Sequence, residues 1–224
     1  MHTRFLFTLG AALALTAPSL ASNPLASKDP VQVRTALSGT GMASQETNLG
    51  DLVADAMRET GHAQAALVPA DETNANLQIP AGKTDTSALL SALSEGDDPG
   101  STVVILNLTG AQLLKVAERS VSRAPEPFDG FLQVSGLQIR YSPGQPTGKR
   151  VSLVGIGGGE VVAGQTYRVA TTRSLASGSL GYFQIFDKKD ITEDTGISLS
   201  QSLTSYLASH KMLDVKTEDR ITSR

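Results

Sequence analysis

Gly178-Ser179-Leu180-Gly181 sets a serine between glycines, the setting in which a sharp turn lifts a nucleophilic hydroxyl, but it is one residue short of G-x-S-x-G. No S-x-x-K occurs, and the chain has no cysteine, which excludes thiol nucleophiles, thiolate metal sites and disulfides. A triad base would have to be a histidine, and there are three: His2, His62 and His210. His62 follows a helix-stopping glycine and His210 ends an apolar-periodic segment, so both read as partners of a helix carboxyl end, with no second histidine at metal-binding spacing. GIGGGE (155–160) puts Glu160 where a dinucleotide loop has its third glycine, and it reads as a hairpin turn. GQPTGKR (144–150) is too short for a phosphate-cradling loop, and Arg150 replaces the Ser or Thr. Asp187, Asp190, Glu193 and Asp194 offer oxygens to a hard cation. Their spacing fits no EF-hand, and Lys188 and Lys189 oppose a cation, so a solvated loop is expected. No metal site and no cofactor follow from these patterns.

The elements that must position these residues are legible in outline. NLGDLVADAMRET (48–60) brings Leu49, Leu52, Val53, Ala56 and Met57 to one helical face, with Thr47 or Asn48 to start it and Gly61 to end it. AALVP (65–69) reads as a buried strand, 70–82 as a loop and 87–94 as a helix. TVVILNL (102–108) is a β-branched strand, after which Thr109 caps a helix to about Val121 that is expected to bury Leu113, Leu114 and Ala117. FLQVSGLQIRY (131–141), RVSLVGI (150–156) and TYRVATT (166–172) read as strands, and SLSQSLTSYLASH (198–210) as a closing helix. Early and late helices around a block of strands argue an α+β fold.

Length and composition bound the rest. The 224 residues suffice for one domain, two at most. Nineteen Lys and Arg against 22 Asp and Glu give a net charge of −3, so no basic footprint for nucleic acid exists. Residues 1–21 carry His2 and Arg4, an apolar run from Phe5 to Ala17 and the small residues Ser19 and Ala21. This is the pattern of a secretory signal peptide cleaved after Ala21, too short in its apolar run for the roughly 20 residues of a membrane span. The expected location is periplasmic or secreted, with no membrane attachment after cleavage. Residues 22–43 are read as lead-in and first strand, and 44–222 as the domain.

Several segments, in order, resemble the C-terminal domain of the 5′-nucleotidase/UDP-sugar hydrolase family. QETNLGDLVADAMRETG is similar to its E-x-x-x-G-(N/D)-L-x-x-D-A-M helix, LNLTGAQLLKVAERSV to a strand–helix unit, and GFLQVSGLQIRY to a strand. TYRVATT with GSLGYFQIF is similar to its Y-x-V…G-G-D-G segment, and EDRI to its closing Arg-Ile. The resemblance implies layered α/β/β/α architecture and, in whole enzymes, a preceding two-metal phosphatase domain that performs hydrolysis while this domain holds the nucleoside. The residues ahead of the match are mostly leader, so a stand-alone domain without catalysis of its own is expected, a binding or accessory module. Its expected partners are a separate metallophosphatase domain or a small anionic ligand; a half of a split hydrolase and a purely structural domain are the alternatives.

The family's ligand contacts, as the resemblance implies them, are altered. Pro69 stands at its Asn and Asn74 near its Arg; SEGDDPGS (94–101) lacks its aromatic; Ser174 stands at its second stacking ring, Leu180 at its ribose-binding Asp, and Gln45 at an Arg. Arg173, Ser179 and Tyr182, with Phe183 beside them, remain as candidate ligand-binding residues around the pocket mouth that the resemblance implies; Tyr182 also matches a commonly aromatic family position and reads alternatively as core.

Overall fold

The structure is a computed structural model that describes residues 30–94 and 98–224. The expected signal peptide, the expected lead-in up to residue 29 and part of the expected 95–101 turn lie outside the described residues.

Strand β1 (Val31–Val33) and β2 (Leu37–Ser38) lead to helix α1 (Asn48–Thr60). Thr47 caps α1, its hydroxyl accepting from Gly50 N–H at 3.1 Å. Position 50 must be glycine, because a Cβ there would lie 2.3 Å from Gln133 Oε1. That amide in turn accepts from Thr47 N–H and donates to the Met42 and Gln45 carbonyls. Strand β3 (Ala65–Pro69) is buried throughout, as its sequence predicts. Short strands β4 (Gln78–Ile79) and β5 (Gly82–Thr84) then occupy a stretch expected to be loop, and α2 (Thr86–Leu90) is a single turn and a half. β6 (Thr102–Thr109) and α3 (Gly110–Ser120) follow as expected, and Thr109 and Gln112 form a reciprocal capping box.

The expected strand over 131–141 breaks in two, β7 (Leu132–Ser135) and β8 (Leu137–Tyr141). Gly136 between them has φ +67°, and a Cβ there would lie 2.2 Å from the Gln64 carbonyl. β9 (Val151–Ile156) turns through Gly157 and Gly158 into β10 (Gly159–Glu160), the hairpin read from the glycines. β11 (Thr166–Thr172) runs into the four-residue α4 (Arg173–Ala176). The acidic segment is a correction. Beyond a short turn at 188–190 it forms edge strand β12 (Ile191–Ser198) rather than a loop. Its register on β6 is irregular, but Thr192 and Thr195 hydroxyls bond the Ile105 and Val103 carbonyls. Helix α5 (Leu199–Ser209), β13 (Met212–Leu213) and β14 (Ile221–Ser223) complete the chain.

The architecture is α+β. A five-stranded sheet in the order β12-β6-β11-β3-β7 is antiparallel except for the parallel pair β3–β11. Strand alternation feeds two cores. Ala66, Val68, Val103 and Ile105 meet Leu49, Val53 and Met57 of α1 and Leu203 and Leu207 of α5. Ala65, Leu67, Val104 and Leu106 face the opposite way, toward α3 and the second sheet, β10-β9-β8-β14. The ends of the chain are tied into this frame, since β13 pairs with β1 and β14 with β8, both in parallel.

Candidate functional site

The parallel pairing of β3 with β11 sends both carboxyl ends to one edge of the sheet. The antiparallel β6 begins there too, since Thr172 pairs with Val103. Three segments meet at this edge: Pro69–Asn74, Asp98–Ser101 and Thr172–Ser174. Backbone bonds lock them in place. Ala70 N–H donates to the Phe131 carbonyl at 2.9 Å and Asp71 N–H to that of Asp129 at 3.2 Å. A Cβ on Gly100 would lie 3.5 Å from the Ser174 Cβ. The Asn74 side chain donates to the Ser91 carbonyl at 3.2 Å, while Pro69 and Ser174 lie at this edge, where the family resemblance implies a ligand hollow.

Its side chains are mainly acidic. Glu72 lies beneath Asp71 and Asp98, and burial pushes its carboxyl up to about 7, with hydrogen bonds from Thr172 and Ser101 opposing and Asp71 adding to the rise. Its Oε2 has no hydrogen-bond partner among the described residues. The nearby cation, Arg173, is the first residue of α4, and its Nη2 is hydrogen-bonded to Asp194 of β12. Gly196 N–H and then Arg173 hold Asp194 below the usual carboxylate range. An incoming phosphate would thus meet carboxylates, with the guanidinium already engaged. Sequence reading passed over Asp71, Glu72 and Asp98; the signal was present as the acids of PADETN and GDDPGS.

The remaining candidates separate. Ser179 is half-buried in the turn 179–181, where its carbonyl accepts from Tyr182 N–H at 3.0 Å. Tyr182 is a correction as a stacking residue at the mouth. It is 0% exposed, donates its hydroxyl to the Gly130 carbonyl at 2.8 Å and stacks on Phe186 at 5.6 Å. Burial pushes its phenol well above the ordinary value. Phe183, by contrast, is 66% exposed. Leu180 has φ +56°, a left-handed conformation that Asp or Asn tolerates better than Leu. Its carbonyl is held by Arg119 Nε at 3.0 Å, and that guanidinium lies 4.5 Å over the Phe128 ring. The ring and cation beside Leu180 therefore satisfy each other.

A second polar cluster lies between α1 and the C-terminal strand. Arg220, with a side chain only 11% exposed, forks onto Asp55 at 2.8 and 3.0 Å, and also donates to the Val134 carbonyl and to Glu218. Glu46 accepts from Glu218 N–H at 2.7 Å and Ile221 N–H at 3.1 Å. Asp51 lies 3.6 Å from Arg220 and is 0% exposed. Burial pushes it up to about 9; Arg220 opposes this, and Glu46 and Asp55 add to it, so it holds a proton at neutral pH. A cleft of about 430 Å³ opens beside this cluster, lined by Arg58, Ser135 and Gly157 as well as Asp55 and Arg220. His210 stacks on Tyr206 at 4.0 Å at the end of α5, and His62 has φ +44° beyond α1, both in structural settings. Among the described residues no group of three or more His, Cys, Asp or Glu is arranged to hold a metal ion, and no helix is long and apolar enough to cross a membrane.

This geometry has close parallels. Residues 26–188 match the family described as 5′-nucleotidase, C-terminal domain. A trifunctional nucleotide phosphoesterase protein, YfkN, of Bacillus subtilis is 28% identical over 190 residues, 81% of this chain and 12% of that protein. The 5′-nucleotidase of Bos taurus is 30% identical over 135 residues, 54% of this chain and 22% of that one. Among solved structures, a 5′-nucleotidase precursor from Thermus thermophilus superimposes with a TM-score of 0.75 at 28% identity, covering 86% of this chain and 39% of that chain. The NAD nucleotidase of Haemophilus influenzae gives the same TM-score at 15% identity over 89% and 38%, a likeness of fold. The chain thus spans a third or less of the curated relatives it matches. The family model over residues 26–188 and the superposition of the layered sheets agree, and the chain belongs to the 5′-nucleotidase C-terminal domain family.

Proposed function

We propose that this chain is an exported binding or accessory module related to nucleotide catabolism, with no hydrolytic chemistry of its own, acting beside a metallophosphatase domain supplied separately. The observation that carries this reading is the hollow at the ends of β3 and β11. Glu72, Asp71 and Asp98 lie where the resemblance places nucleotide contacts, and Arg173 is engaged by Asp194. A two-metal phosphoesterase site also needs several His, Asp and Asn ligands holding metals roughly 3.5–4 Å apart, and His62 and His210 are the only histidines beyond the leader. The leader motif supports export, as does likeness to a snake venom 5′-nucleotidase of Naja atra.

The test is an assay of the purified protein with AMP and UDP-glucose in Mn²⁺, Co²⁺ or Zn²⁺, alone and mixed with candidate metallophosphatase domains. The expected outcome is no turnover alone and altered turnover by the catalytic domain on mixing. Metal-dependent turnover by this chain alone, abolished by one substitution within it, overturns the reading. Calorimetry with AMP separates ligand binding at the hollow from a purely structural role: heat that disappears in Arg173→Ala assigns binding to that site.

A further inference from the structure

Leu114 is the residue whose placement the sequence misjudges most clearly. Its neighbours on α3, Leu113, Val116 and Ala117, are fully buried, while Leu114 is 45% exposed. It does not stand alone on the surface. With Val151 of β9 and Ile185 it forms the apolar wall of a cleft of about 710 Å³. A second cleft of about 410 Å³ shares Leu114, Lys115 and Val151 and continues along β9 past Leu153. These volumes fall in the range of small-molecule sites, roughly 300–1,000 Å³.

The charge lining the larger cleft has one sign to spare, and Glu160 lines only the smaller one. Both oxygens of Glu118 are taken by backbone donors, Arg150 N–H at 3.1 Å and Val151 N–H at 2.8 Å. Arg119 is spent on the Leu180 carbonyl and the Phe128 ring. Lys115 and Lys149 line the same cleft, and neither ammonium has a hydrogen-bond or ion-pair partner among the described residues. An apolar wall with two unpartnered cations complements a molecule that carries an apolar body and an anionic head.

We infer that the groove between α3 and β9 is a second binding site, distinct from the hollow at the ends of β3 and β11, and that it takes a small amphipathic anion. The apolar body lies on Leu114, Val151 and Ile185, and the carboxylate or phosphate head meets Lys115 and Lys149. The site does not depend on whether the hollow binds a nucleotide.

The experiment uses the ¹⁵N-labelled protein titrated with decanoate and dodecyl phosphate below their micelle concentrations, with decanol, decyltrimethylammonium and inorganic phosphate as comparisons. Saturable shifts of the Lys115, Val151 and Gln184 amides are expected with the two anionic amphiphiles. Binding is expected to weaken at least five-fold in the Lys115→Ala/Lys149→Ala double variant and again in Leu114→Gln. All three side chains are solvent-exposed, so the fold is retained, and an unchanged spectrum away from the groove checks this. Equal binding of the cationic amphiphile, affinity unchanged in the variants, or shifts confined to the hollow would overturn the assignment. Concentration-dependent self-association lost in Leu114→Gln, without amphiphile binding, would also overturn it by giving the groove to a second copy of the chain.

Discussion

The cluster around Arg220 and the hollow at the ends of β3 and β11 are both built from family motifs, yet they have had opposite fates. In the first, Glu46, Asp55 and Arg220 stand at the motif positions and bond one another or the backbone of β14 and β7, with Asp51 buried 3.6 Å from Arg220. In the second, acids gather at the strand ends and the neighbouring Arg173 is bonded to Asp194 of β12. Pro69, Ser174 and Leu180 border a space dominated by carboxylates, and Leu180 keeps a left-handed conformation that its side chain does not favour. The contrast teaches that this frame and its ligand site are separable. A buried ion network is costly to break one member at a time, whereas half-exposed contacts at strand ends can change without loss of the core.

The largest expected effect tests that cost. Arg220→Ala leaves the largely buried Asp55 carboxylate with only the Ser135 hydroxyl, takes the guanidinium from the Val134 carbonyl, and is expected to destabilise by about 3–5 kcal/mol, read by urea unfolding. A loss below about 1 kcal/mol, the value of an exposed pair, would remove the distinction between the regions.

Next comes the proton on Asp51. Its folded value of about 9 lies above its ordinary 3.8, so the folded protein holds a proton that the unfolded chain releases. The resulting stability is full below about pH 4 and is lost as pH rises toward 9, with a slope of about 1.4 kcal/mol per pH unit for one proton. Asp51→Asn, which imitates the neutral acid, is expected to flatten that part of the stability–pH curve between pH 6 and 9. An unchanged slope would mean the carboxyl is ionised in the folded protein.

The hollow should respond more weakly. Leu180→Asn relieves left-handed strain of about 1–2 kcal/mol and gives up some apolar contact, for a net gain of up to about 1 kcal/mol in thermal unfolding. A loss instead would show that the Leu180 side chain has become part of the core. Arg173→Ala removes a half-exposed pair and is expected to change stability by less than about 0.5 kcal/mol. A larger cost would place the hollow in the same class as the Arg220 cluster.

Helix caps and strand periodicity were legible because their causes are local. Thr109 and Gln112 sit three residues apart and bond each other, and AALVP is apolar along its length. β12 was not legible, because what makes ITEDTGIS a strand is pairing with β6 and two threonine hydroxyls on β6 carbonyls, some 90 residues away in sequence. Tyr182 shows the same limit. An aromatic beside a glycine turn reads equally as a stacking surface or as core, and only the Gly130 carbonyl and Phe186 ring decide between them.

By itself the sequence determined the family, the α+β order of elements and the starts of the long helices. Tertiary structure alone decided which charges face one another. Arg220 and Asp55 are 165 residues apart in the chain, and Asp71, Glu72 and Asp98 become one electrostatic environment only when β3, β6 and β11 align their ends. Coulomb energy and desolvation depend on distance through space and on burial, and neither is written in the spacing along a chain.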